Sequence, residues 1–101
     1  VTRDLKVRKE RSRRYGDHTE GCTNLGMIWT GILQLYYGIK LDHPIPANIV
    51  ELMMSGSKLG RAALDPSGKD HYTDGRVYLS LAEESAERTI KGGVKLKKEV
   101  A

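Results

Sequence analysis

Asp70 and Asp74 stand four residues apart, so on a helix one face carries both carboxylates. Glu20, on an earlier predicted helix, offers a third, while Lys58 and Arg61 fall on a predicted helix between them. Acid groups in this number suit Mg²⁺ or Mn²⁺, which take few protein oxygens and complete their shell with water and phosphate. Lys58 and Arg61 would then hold the remaining phosphate oxygens. The metal would polarise the phosphoryl group and activate water, and Tyr15 would stack on a nucleotide base. The same residues also fit an account with no ligand. Glu20 and Asp70 serve there as helix caps, and Asp74 pairs with Lys58 or Arg61. The sequence leaves both accounts open.

Other chemistries find less support. All three histidines follow an aspartate, at Asp17-His18, Asp42-His43 and Asp70-His71. Imidazole and carboxylate suit Zn²⁺ or Mn²⁺, but there is no His-Glu-x-x-His spacing and no cysteine cluster, so coincidence is the better reading. Cys22 lies in an apolar-rich segment and reads as core. Glu83-Glu84-Ser85-Ala86-Glu87 has carboxylate-motif spacing, yet Arg88 and Lys91 follow at i+4 and make it a paired, solvated face. Gly56-Ser57-Lys58 lacks the glycine pattern of a phosphate loop.

Helices must position these groups. Asp17 followed by Glu20 resembles a capping box, opening a helix that runs to about Gly38. Leu25, Ile28, Trp29, Ile32, Leu33, Tyr36 and Tyr37 recur along it at helical steps. Pro44 and Pro46 interrupt the chain, and Pro46 fits the first position of a second helix ending near Leu64. Ile49, Val50, Leu52, Met53, Met54 and Leu59 are its apolar residues, and Gly56 and Gly60 suggest close approach by another helix or a ligand. Asp65-Pro66-Ser67-Gly68 reads as a turn. A third helix runs from about Asp70 to Lys91, with Tyr72, Val77, Tyr78, Leu81, Ala82, Ala86 and Ile90 on its buried side. The expectation is an all-α protein: a small bundle of three main helices, residues 15–91, with a basic arm at 1–14 and a basic tail at 92–101.

The net charge of +4 divides unevenly. Residues 1–14 hold seven bases against two acids and residues 88–101 five against one, whereas 15–87 hold five against ten. An acidic body with basic ends suits a phosphate backbone or an acidic partner surface. Arg8, Lys9, Arg11, Arg13 and Arg14 are the residues expected to meet a host protein or a nucleic acid. The apolar stripes are wide for a body this small, so a homo-oligomer is expected. No stretch reads as a membrane span or a secretory signal, and a lone cysteine gives no internal disulfide, so the expected setting is cytoplasmic.

Three groups of residues carry a resemblance. Tyr15-Gly16-Asp17, then Glu20 and Trp29, form the first. Leu52-Met53-Met54, then Lys58 and Arg61, form the second. Pro66, Asp70, Asp74 and Tyr78 form the third. In this order and spacing the chain, over roughly residues 14–84, resembles an uncharacterised family of small phage-encoded helical proteins. His18 stands where a Pro is usual in that family, His71 where an Asn is usual, and Ser55-Gly56-Ser57 replace bulkier apolar residues. The helical layout is distantly similar to MazG-type nucleotide pyrophosphohydrolases, which hold Mg²⁺ with carboxylates from facing helices. The resemblance implies a phage protein in the cytoplasm of an infected cell, binding a nucleotide or other phosphate ligand. The alternative is a non-catalytic protein that grips a host protein or nucleic acid through its basic arms.

Overall fold

A computed structural model describes residues 5–7, 9 and 17–91. Three long helices follow one another: α1 (His18–Tyr37), α2 (Ala47–Leu64) and α3 (Lys69–Lys91). Residues 5–7 and 9 are also helical, and no strand occurs among the described residues. The all-α bundle expected from the sequence is therefore present.

The helix ends follow from their residues. Asp17 caps α1, its carboxylate accepting from the Thr19 amide at 2.8 Å. Gly38 ends it in the left-handed conformation, φ 63°, where a side chain would be strained. Pro46 lies one place earlier than expected: it is the N-cap of α2, in extended conformation, and Ala47 is the first helical residue. The turn at 65–68 closes with the Gly68 amide on the Asp65 carbonyl at 3.1 Å, and the Tyr72 hydroxyl donates to Pro66 O across it.

α2 is the central helix, packed broadly against α3 and less broadly against α1. Its inward residues are Ala47, Val50, Glu51, Ser55 and Ala62, a run at three- and four-residue steps. Against α1 they build a cluster of Cys22, Ala47 and Val50, flanked by Leu25, Trp29, Ile45 and Met54. Against α3, Ser55 Oγ donates to the Gly75 carbonyl at 3.0 Å, and α3 buries Val77, Leu81 and Ala82. The loop after α1 folds back onto it: Ile45 N donates to Thr30 Oγ1, and Thr30 Oγ1 donates to the Gly26 carbonyl. Gly26 is needed there, because a Cβ would strike the Ile45 carbonyl oxygen.

Several residues expected in the core lie outside it. Ile28, Ile32, Tyr36 and Tyr37 of α1, Ile49, Leu52, Met53 and Leu59 of α2, and Tyr72 of α3 are exposed. The cause is that α1 and α2 are apolar beyond the faces that meet another helix, and among the described residues nothing covers the remainder. Gly56 and Gly60 are likewise exposed with open space around them, so no neighbour among the described residues explains them.

A buried His-Cys-Glu cluster as candidate metal centre

The largest fully buried side chain in the domain is a carboxylate. Glu51 takes an inward slot of α2 between Val50 and Met54, where an aliphatic residue would be ordinary, and its exposure is 0%. His18 Nδ1 donates to its Oε2 at 2.7 Å. The other oxygen, Oε1, is buried and has no hydrogen-bond partner among the described residues. An acceptor left in that state costs about 1–3 kcal/mol.

Cys22 completes the group. It lies one helical turn after His18 on α1, so both side chains lean onto the same face. Its Sγ is 3.5 Å from His18 Nδ1. A ring nitrogen, the thiol sulfur and a carboxylate oxygen all lie within 4.8 Å of one another. Burial first, and the Glu51 charge second, push the Cys22 thiol up to about 11 from its usual 9.0. A divalent cation would reverse that balance, because metal binding deprotonates a coordinating thiol.

All three helices frame the cluster. The His18 ring sits 5.7 Å from that of Tyr78 on α3, and Thr19 Oγ1 meets Ser85 Oγ at 2.8 Å. Arg88 of α3 clamps the start of α1, its Nη1 donating to both Asp17 oxygens and to Thr19 Oγ1, while Nη2 holds Glu84 at 2.7 Å. The Thr19 amide lowers the Asp17 pKa most; partial burial opposes the shift and Arg88 adds to it. His18 keeps 28% of its side chain exposed, so the cluster is open to water on one side.

The carboxylates expected to share a metal are not gathered. Glu20 is an exposed residue in the first turn of α1, and that turn lies beside Ser85. On α3 that turn touches residues from Tyr78 to Arg88, and Asp74 and Asp70 lie one and two helical turns before Tyr78. The His18-Cys22-Glu51 trio is the one metal-suited group of three among the described residues, and Glu20, Asp70 and Asp74 do not form such a group. The start of α1 meets the far half of α3, at Tyr78, Ser85 and Arg88, while Asp70 and Asp74 lie in its near half.

Lys58 and Asp74 do meet, at 3.6 Å and both largely buried, in the ion pair that the ligand-free account expects. Arg61 is exposed in the last turn of α2, and Asp70 is exposed in the first turn of α3. Lys9 is helical and exposed. Tyr15, Arg8, Arg11, Arg13, Arg14 and the basic tail at 92–101 lie outside the described residues.

Sequence reasoning missed the trio, although two signals were present. His18 and Cys22 have i, i+4 chelating spacing, and Glu51 interrupts an otherwise apolar run. Neither signal identifies a site until the fold brings α1 onto α2.

A family model described as Domain of unknown function (DUF6378) matches residues 3–86. The chain belongs to this family. No curated protein and no solved structure matches it. The family match spans all of α1 and α2 and most of α3, so the trio lies inside the family domain. Among the described residues, no helix is long and apolar enough to cross a membrane.

Proposed function

We propose that the protein is a transition-metal-binding module, holding a divalent ion with His18 Nδ1, Cys22 Sγ and the Glu51 carboxylate. The observation that carries this reading is Glu51 Oε1: a fully buried oxygen with no partner among the described residues, beside a thiol and an imidazole. Nitrogen and sulfur donors favour Zn²⁺ over Mg²⁺, which prefers an all-oxygen shell. A thiolate and a carboxylate together balance the charge of a divalent ion. Three protein ligands leave a fourth tetrahedral position, and the open side of His18 gives water or an external ligand access to it. Tyr78 and the Thr19-Ser85 pair pack around the His18 end and fix its ring.

The phosphate site expected at Lys58 and Arg61 is not the reading adopted. Lys58 is engaged with Asp74 and lies seven residues beyond Glu51 on α2, about 10 Å along the axis. MazG-like chemistry and a phage setting rest on the resemblance alone.

Loading the full chain with Co²⁺ tests the proposal. Thiolate ligation gives a sulfur-to-metal charge-transfer band. The band is expected in the wild type and absent in Cys22→Ser. A Co²⁺ spectrum identical to that of the hydrated ion, or one unchanged by Cys22→Ser, would overturn it.

A further inference from the structure

α1 is apolar on two opposite sides. Its inward side buries Cys22, Gly26 and Thr30 against α2 and the returning loop. Its outward side carries Ile28, Ile32, Leu35 and Tyr36, spaced i, i+4, i+7 and i+8, which are 59%, 58%, 88% and 78% exposed. Gly31 lies among them with open space where a Cβ would stand, and Met27 and Ile39 flank them half exposed. No charged residue occurs between Glu20 and Lys40. A helix in a small bundle needs one apolar stripe, so packing among the described residues does not account for the second.

We infer that this face is a homodimer interface, with α1 of one copy laid against α1 of a second copy about a two-fold axis. The four named side chains leave on the order of 600 Å² in water, approaching the about 800 Å² per partner of a standard interface once Met27 and Ile39 are added. Contiguous apolar patches of that size are unusual on monomers. The charge pattern selects a second copy as the occupant. Across a two-fold axis a face meets itself, so a charge near the axis would face its own like charge. This face has none, although residues 15–87 hold ten acids against five bases. Two such bodies repel each other over most of their surfaces and meet without repulsion here. Aromatic enrichment and depletion of charge also mark homodimer interfaces.

Light scattering on the eluting full chain, over a wide concentration range, tests the inference. The wild type is expected at twice the chain mass. Ile28→Glu with Leu35→Glu should halve that mass while the helical circular dichroism is retained. Leu35→Ser, a milder change, should shift the monomer–dimer equilibrium measurably toward monomer. Leu52→Glu, on the outer face of α2, should leave the dimer intact. A wild type that is monomeric at every concentration overturns the inference whether or not any variant folds. So does a dimer that survives the paired substitution, or one that Leu52→Glu dissociates.

Discussion

Replacing Glu51 with methionine separates a waiting metal ligand from a structural ion pair. In the metal-free protein one Glu51 oxygen accepts from His18 and the other has no partner among the described residues. The unpartnered acceptor costs about 1–3 kcal/mol, and the charge-assisted bond to His18 returns about 1.5–3 kcal/mol. Methionine removes both terms at similar side-chain length and adds apolar burial worth on the order of 1 kcal/mol. The expected change therefore lies between a loss of about 1 and a gain of about 2.5 kcal/mol. His18→Ala should act in the opposite direction. It leaves both carboxylate oxygens without a donor and strips a ring from Tyr78, and breaking one side of a buried pair costs about 3–5 kcal/mol. In a domain of this size 1 kcal/mol moves Tm by about 4–8 °C, so the two variants should melt more than about 10 °C apart. Thermal unfolding followed by circular dichroism, in chelator, reads this directly. If Glu51→Met melts as low as His18→Ala, the carboxylate is needed for folding without a metal, and the reasoning fails.

Four further outcomes follow from the same contacts. The Cys22 thiol is raised from 9.0 to about 11 in the folded chain, so its contribution to metal-free stability is complete below pH 9 and is lost as pH rises toward about 11. Because the thiol must lose its proton to bind, zinc affinity measured by chelator competition should rise about tenfold per pH unit above the histidine range. Gly26→Ala should destabilise by about 2–3 kcal/mol or more, since the Cβ meets the Ile45 carbonyl, whereas Gly60→Ala should gain about 0.5–1 kcal/mol in open space; urea midpoints distinguish them. Asp17→Ala should lose about 1 kcal/mol with the α1 cap. The capped carboxylate, held below 3.8, contributes its stability above that pH and loses it as pH falls through the lowered value, which an acid titration of the variant against the wild type should show.

The helices were legible because their signals are local. Asp17, Gly38, the Pro44-Pro46 break and the turn at 65–68 mark ends that depend on a few adjacent residues, and the structure follows them within about one residue. Which side of each helix faces inward was less legible. Periodicity identifies an apolar stripe, but α1 and α2 each carry two, and Ile28, Ile32, Leu52 and Met53 fit a buried pattern as well as Leu25, Val50 and Met54 do. The site failed for a related reason. Asp70 and Asp74 share a helix face, which spacing shows, but their distance from Glu20 depends on how far α1 slides along α3, which spacing does not. The Lys58-Asp74 pair was one of two partnerships the sequence allowed, and packing of α2 on α3 selects it. Glu51 was passed over because a single acid in an apolar run looks like surface until its helix is shown to be central. His18 is the residue that gives Glu51 its partner.

The most direct test of the central claim is the zinc content of the full chain after saturation with Zn²⁺ and exhaustive dialysis, measured beside His18→Ala, Cys22→Ser and Glu51→Met. One zinc per chain in the wild type, lost in each variant while its helical content is kept, is the predicted result. A wild type that emerges without zinc, or a Glu51→Met protein that retains a full equivalent, would contradict the metal centre.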